Sequence, residues 1–140
     1  MSLSGLTVGE TVFTATFPVT RADLVVYADA SGDQNPIHQD EAAAKAAGLP
    51  DVIAHGMYTM GLVSRAVREW ASGAGIDATL TDFSARFAKP VVVPADGGAE
   101  VVVEGKVRKL DETSVELAMT VTSAGEKVLA PARATLVAKG

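Results

Sequence analysis

Two residues with complementary acid–base chemistry stand on one short segment, Gly32-Asp33-Gln34-Asn35-Pro36-Ile37-His38. Pro36 fixes its own φ and disfavours helical backbone at Asn35, so we expect Asp33 and His38 to lie on one rigid turn. A carboxylate and an imidazole that converge can share a water, because one accepts its proton while the other orients the molecule or donates. The same residue types also form ordinary turns, and Asp33 could simply cap the next helix. Taken alone, the ordinary turn is the favoured interpretation.

Gly56 offers a group that complements such a pair. It stands where a long helix is predicted to begin, so its backbone N–H, with the positive end of the helix dipole behind it, can bind an oxyanion. If a thioester carbonyl lay there, one good donor would stabilise the charge that develops on its oxygen by about 3 kcal/mol. Alternatively, Gly56 only allows close packing of the helix on a sheet. The two interpretations are compatible.

The chain contains two histidines, and the second is His55. A histidine in this position is more often a helix-start or packing residue than a ligand. The trio His38, Asp40 and His55 is a weak metal hypothesis, because no ligand spacing on one element supports it. We therefore predict no metal and no cofactor.

Helical signals around the turn predict how it is held. Thr20 and Asp23 resemble a capping box, and Gly32 fits a left-handed helix stop, so one helix is expected to end just before the turn. A short second helix is bracketed by Asp40 as N-cap and Gly48 as terminator. The turn is thus predicted to lie between two helices.

The third helix is the candidate core helix. We expect it to run from about His55-Gly56 to Ala71, roughly 23 Å, which is long enough to lie across a sheet of several strands. The predicted buried stripe consists of Met57, Met60, Ser64, Val67 and Trp70.

From Thr79 onward the hydrophobic period switches to two, which predicts strands joined by hairpin turns. An early strand, Thr11 to Phe17, is expected to join the same antiparallel sheet. Because Pro131 cannot donate to a ladder, it should lie at an edge or a bulge of the last segment, Lys127 to Lys139. These elements predict an α+β fold in which an antiparallel sheet wraps one long helix.

Bulk composition excludes several functions. The 140 residues predict one compact domain, residues 1–140, and the absence of cysteine excludes thiol nucleophiles and thiolate zinc sites. No apolar run is long enough to span a membrane, and Met1 to Gly9 lacks signal-peptide features, so a cytoplasmic location is expected. A net charge of −5 with scattered basic residues argues against nucleic acid. The basic stretch Lys106 to Lys109 is more often plain surface than a docking patch for an anionic carrier.

Three segments resemble motifs of the MaoC-like hydratase and dehydratase family. Gly32 to His38 is similar to its hydratase motif, and Ile53-Ala54-His55-Gly56-Met57 is similar to the segment that opens its central helix, at the usual distance. Arg86-Phe87-Ala88-Lys89-Pro90-Val91 looks like its Arg-Phe-x-x-Pro-Val strand. The likeness covers nearly the whole chain and extends to the catalytic subunits of actinobacterial hydroxyacyl-carrier-protein dehydratases. It departs at Val93 to Gly98, where the family often has Pro-Gly-Asp.

The resemblance implies a hot-dog fold and the pairing of two such domains, as a homodimer or as a heterodimer with a related hot-dog subunit. It assigns Asp33 and His38 as the catalytic pair and the N–H of Gly56 as the oxyanion donor. Asn35 and Ser64 are implied as supporting polar groups. Asn35 belongs to the motif, whereas Ser64 rests on spacing alone and could be a small residue packed on the sheet.

The activity implied by the resemblance is reversible syn hydration of a trans-2-enoyl thioester to an (R)-3-hydroxyacyl thioester. The acyl group would be carried by coenzyme A or acyl carrier protein, and neither nucleic acid nor a membrane is an expected partner. One alternative is a hot-dog acyl thioesterase, which would direct the water to the thioester carbonyl. Another is a non-catalytic partner of a dehydratase heterodimer. The pair Asp33 and His38 argues against both.

Overall fold

A five-stranded antiparallel sheet wraps one long helix in the computed structural model, which describes residues 3–139. The strand order is β1-β3-β4-β5-β2, and every neighbouring pair is antiparallel. The elements in chain order are β1 (Thr11–Val19), α1 (Arg21–Ser31), α2 (Glu41–Ala46), α3 (Gly56–Gly73), β2 (Ala78–Phe87), β3 (Ala99–Leu110), β4 (Ser114–Ser123) and β5 (Glu126–Ala138). This arrangement confirms the predicted α+β class and the hot-dog fold.

The caps of α1 confirm the local predictions. The Thr20 side chain accepts from the Asp23 N–H, and the Asp23 carboxylate accepts from the Thr20 N–H. Gly32 closes the helix with a φ of 82°, in the left-handed region that glycine adopts without strain. Asp40 caps α2 by accepting from the Ala42 N–H. The chain between Gly32 and Asp40 is therefore held between two capped helices.

Helix α3 packs on the sheet with a different face from the predicted one. Its buried residues are Thr59, Leu62, Val63, Ala66, Val67 and Ala71. Of the predicted stripe, Val67 is buried, Met57 is 61% exposed, and Met60, Ser64 and Trp70 are half-buried. The prediction was wrong by about one residue's rotation, because small side chains let the helix approach the sheet while the larger ones lie on its flanks.

Strand β3 shows the alternation expected of a sheet with one covered face. Val101, Val103 and Val107 are buried, whereas Lys106 and Arg108 lie exposed on the outer face. The basic stretch is thus on the solvent side of the sheet.

Pro131 lies in an interior strand, since β5 pairs with both β4 and β2. The register shifts next to it on both sides, between Met119 and Val121 on β4 and between Ala85 and Phe87 on β2. The prediction of a bulge is therefore confirmed, and the bulge removes the need for a proline N–H.

Among residues 3–139, no helix is both long enough and apolar enough to cross a membrane. The cytoplasmic location stays a prediction.

Candidate active site

Hydrogen bonds to side-chain oxygens order the turn between α1 and α2. Asp33 Oδ1 accepts from the Asn35 N–H at 3.2 Å, and Asn35 Oδ1 accepts from the Ile37 N–H at 3.2 Å. Asn35 is the N-cap of a single 3-10 turn, Pro36–His38. Both Asp33 and Asn35 are exposed. Asn35 thus supports the turn that delivers His38 into the interior.

His38 is held in one orientation by a main-chain carbonyl. Its side chain is buried, and Nδ1 lies 2.7 Å from the carbonyl oxygen of Ile53. A carbonyl oxygen only accepts, so Nδ1 carries the hydrogen, and Nε2 of the neutral ring keeps its lone pair. An imidazole bound in this way can take a proton from a water at Nε2.

His55 is the second buried imidazole, and it stacks on the first. The ring centroids of His38 and His55 are 3.9 Å apart, and the ring planes differ by 25°. Nε2 of His55 lies 3.1 Å from the carbonyl oxygen of Asp33. Tyr27 of α1 contacts the same ring edge-on, with centroids 4.7 Å apart. His55 therefore joins α1, the turn and the start of α3. Its place at the helix start agrees with the sequence prediction, whereas its contacts with the turn and with Tyr27 were not predicted.

Gly56 is the first residue of α3, where backbone N–H groups lack partners within the helix. The ring of Phe87, at the end of edge strand β2, covers this glycine. A Cβ at position 56 would lie 2.8 Å from Cε1 of that ring. Gly56 therefore does allow close packing, although against a side chain of β2 rather than along the helix face.

A cavity of about 290 Å³ opens between α3, the turn and the end of β2. Its residues are mostly apolar: His38, Ile53, Ala54, Gly56, Thr59, Phe87, Ala88, Lys89, Pro90, Val91, Val128 and Leu129. His38 and Gly56 therefore face one apolar space, as a substrate site requires.

The structure brings the predicted catalytic pair together. One side-chain polar atom from each of Asp33, His38 and His55 lies within 4.8 Å of the other two. Ser64 does not join this group in the described part of the chain. It lies eight residues beyond Gly56 on α3, about 12 Å along the helix, and outside the residues that line the cavity. The roles of these residues in catalysis stay predictions.

The three clustered side chains are poorly arranged for a metal. His38 Nδ1 and His55 Nε2 are already bonded to carbonyl oxygens. The remaining lone pairs lie in the planes of two stacked rings, so they cannot converge on one ion without rotation of a ring. Asp40 does not complete the trio considered from the sequence, because its carboxylate caps α2.

Tyr58 continues the row of ring contacts formed by His38, His55 and Tyr27, and its pKa is shifted. Its ring contacts that of Tyr27 edge-on, with the ring centroids 5.3 Å apart. Burial, followed by the nearby Asp23 carboxylate, raises the pKa of Tyr58 above its usual value. The phenol is therefore neutral at physiological pH and brings no negative charge to the neighbourhood of the two imidazoles.

Comparison with known proteins relates this geometry to a family. The family model for a MaoC like domain matches residues 5–125. The 3-hydroxyacyl-thioester dehydratase X of Mycobacterium tuberculosis is 43% identical over 90 residues, which cover 62% of this chain and 29% of that protein.

Two solved structures share the fold over nearly the whole chain. A MaoC-like dehydratase superposes with a TM-score of 0.91 and 36% identity, covering 99% of this chain and 42% of its own. R-Hydratase PhaJ1 from Pseudomonas aeruginosa superposes with a TM-score of 0.81 and 31% identity, covering 98% and 84%. The chain spans less than half the length of the first structure and of the mycobacterial relative. The family match over residues 5–125, together with the two motifs that meet at the cavity, shows that the chain belongs to the MaoC-like domain family.

Proposed function

We propose that the protein adds water to trans-2-enoyl thioesters, and removes it from (R)-3-hydroxyacyl thioesters, without a cofactor. The observation that carries the proposal is His38, which faces the cavity with Nδ1 bound to the Ile53 carbonyl. Asp33 stands beside it, and Gly56, the first residue of α3, lines the same cavity. The relatives named as dehydratase and hydratase support this reaction class.

In the hydration direction His38 and Asp33 together activate one water. Nε2 of His38 takes a proton from it while the Asp33 carboxylate orients it, and the oxygen adds to C3 of the enoyl group. The N–H of Gly56 stabilises the enolate oxygen as the negative charge develops. The proton then returns to C2 from the same side, because both groups of the pair stand on one turn, and addition is therefore syn. Dehydration follows the same steps in reverse.

The substrate is proposed to be an acyl thioester of coenzyme A or acyl carrier protein. The apolar wall formed by residues such as Val91, Val128 and Leu129 suits the acyl chain. Lys89 lines the cavity, and its exposed ammonium group forms an ion pair with Glu126, with Nζ 3.1 Å from Oε1. A cation at this position suits the anionic part of either carrier.

We also propose that the chain acts as a pair of hot-dog domains. Strand β2 is one edge of the sheet, and its last residue, Phe87, is 57% exposed beside the cavity. An exposed aromatic ring at an unpaired strand edge favours burial against a second domain. Native mass spectrometry of the protein alone distinguishes a homodimer from a chain that needs a related subunit.

The assay that tests the proposal follows crotonyl-coenzyme A by loss of its enoyl absorbance and by release of free thiol. Loss of absorbance without thiol supports hydration, whereas thiol release indicates the thioesterase alternative. No change in either signal, from protein that native mass spectrometry shows to be a homodimer, contradicts the proposal; no change from a monomer points to a missing related subunit.

Two substitutions, Asp33→Asn and His38→Ala, should each reduce kcat by about 10²- to 10⁴-fold, the range that general acid–base groups contribute. Circular dichroism should show an intact fold in both variants. Retention of wild-type turnover by either variant contradicts the proposed pair.

A further inference from the structure

His55 occupies a position that helix initiation does not explain. It is the N-cap residue of α3, yet its side chain makes no capping hydrogen bond. Ser, Thr, Asp and Asn are the residues that stabilise this position, because their short side chains accept from the first-turn N–H groups. A large imidazole, 2% exposed, therefore stands where a small polar residue would serve the helix better.

The contacts of His55 fix its tautomer. Nε2 lies 3.1 Å from the Asp33 carbonyl oxygen, which only accepts, so Nε2 carries the hydrogen. Nδ1 is buried and has no hydrogen-bond partner within residues 3–139. The alternative tautomer would bury an unpaired N–H and turn a lone pair toward the carbonyl oxygen. His55 is thus the Nε2–H form, the opposite of His38, which is the Nδ1–H form.

One ring touches both members of the proposed catalytic pair. The face of His55 stacks on His38, and its N–H binds the main chain of Asp33. Tyr27 contacts the same ring from α1 and restricts its movement. Groups that hold reacting side chains in place act on rate, since small displacements of a catalytic group are costly.

We propose that His55 is a positioning residue, which holds His38 through ring stacking and holds Asp33 through the Nε2–H hydrogen bond to its carbonyl. The inference rests on the proposed hydratase function, because it assigns His55 to the same pair. It predicts that the hydrogen bond and the stacked ring each contribute to kcat. If His55 served packing alone, only the volume of the side chain at position 55 would matter.

Substitutions at position 55 separate these contributions. His55→Phe keeps a stacking ring but removes the donor, and kcat toward crotonyl-coenzyme A should fall about 10- to 100-fold, as for other residues that orient a site. His55→Gln keeps a donor at the equivalent atom but removes the stacked ring, so its kcat should also fall below the wild-type value. KM should change little in either variant.

Val63→Ala is the matched control for lost stability. Val63 is fully buried on the same helix but does not line the cavity, so its truncation should lower Tm and leave kcat unchanged at a temperature where the protein is folded. Retention of wild-type kcat by His55→Phe would show that the donor is dispensable, and retention by His55→Gln would show that the ring is dispensable; either result overturns the proposal.

Nitrogen-15 NMR of histidine-labelled protein provides a readout that does not depend on activity. Because the chain has two histidines, the His55→Phe variant assigns both rings. At a pH where both imidazole rings are neutral, the wild-type protein should carry the ring hydrogen at Nδ1 of His38 and at Nε2 of His55. A His55 ring that carries its hydrogen at Nδ1, or that averages between the two tautomers, overturns the proposal. An inactive wild-type protein with the expected tautomers instead contradicts the proposed function, because the contacts would then be present without the reaction.

Discussion

The turn that carries His38 and the hairpin formed by β3 and β4 hold their buried side chains in different ways. On the hairpin, alternate residues such as Val103 and Leu117 are buried, and each has neighbours of the same kind on its own and the adjacent strand. On the turn, the orientation of His38 depends on one carbonyl oxygen, that of Ile53, and on one stacked ring.

This difference teaches where function and stability can be separated. Apolar burial on the hairpin is distributed and non-directional, so one truncation lowers stability without moving a particular atom. The turn uses directional contacts, and the loss of one contact moves a particular group while much of the apolar core remains. Substitutions in the two regions should therefore affect different measurements.

On the site side, beyond the proposed pair itself, the largest loss of kcat is expected from removal of the Gly56 N–H. His55 has φ −59° and ψ 135°, a conformation that the residue before a proline adopts, and proline is well tolerated as the first residue of a helix. In a Phe87→Ala background, which makes room for added atoms, Gly56→Pro should reduce kcat about 10²- to 10³-fold relative to Gly56→Ala.

The two double variants form a matched pair, because both add side-chain atoms beside position 87 and only Gly56→Pro lacks the donor. Turnover of crotonyl-coenzyme A measures the effect, and far-ultraviolet circular dichroism checks the helix. Equal kcat in the two variants would mean that Gly56 serves packing alone.

On the sheet side, Leu117→Ala should give the opposite result. Leu117 is fully buried in β4, so its truncation should lower the free energy of unfolding by about 2–5 kcal/mol. Because Leu117 does not line the cavity, kcat at a temperature well below Tm should stay within about twofold of the wild-type value.

Urea denaturation measures this loss of stability, and Thr120→Ala, exposed on the same strand, is the control, with an expected change within about 0.5 kcal/mol. A large fall in kcat for Leu117→Ala would show that the sheet and the site are more tightly coupled than their contacts indicate.

The smallest effect concerns the turn between β3 and β4. Asp111 accepts from the backbone N–H groups of Thr113 and Ser114, and these hydrogen bonds lower the pKa of the Asp111 carboxyl group. A carboxylate whose pKa is lowered in the folded state stabilises the protein at pH values above its unfolded-state pKa. This stabilisation is lost as the pH falls through the folded-state pKa. Asp111→Ala should therefore lower Tm slightly at neutral pH and have no effect in strong acid.

Thermal unfolding across this pH range checks the prediction, with the neighbouring Glu112→Ala as the control. A Tm difference that is constant with pH would contradict a role for the charge of Asp111.

Local signals in the sequence predicted a large part of the fold. The capping box of Thr20 and Asp23, the Gly32 stop and the alternation along β3 depend on residues near one another in the chain, and all are found in the structure. Asp33 and His38 could be predicted to converge for the same reason, since one short turn joins them.

Contacts between distant elements could not be predicted in this way. The buried face of α3 depends on which small residues meet the sheet, and hydrophobicity alone placed this face about one residue's rotation away from the observed one. The contacts of His55 with Tyr27 and of Gly56 with Phe87 join residues about thirty positions apart, and no short-range pattern indicates either. The useful signal for His55 was its place beside Gly56 in a motif, together with its poor suitability as an N-cap.

The hydrogen bond from His55 to Asp33 ends on a main-chain oxygen, and it is therefore indifferent to the side chain that residue 33 carries. A duplicated gene could exchange Asp33 for Asn, which removes the acidic group but keeps a side-chain oxygen for the Asn35 N–H, and still encode the same arrangement of turn, ring and helix. If Asp33 acts as proposed, activity is thus easier to lose by mutation than the surrounding fold, and related chains that fold without activity are to be expected.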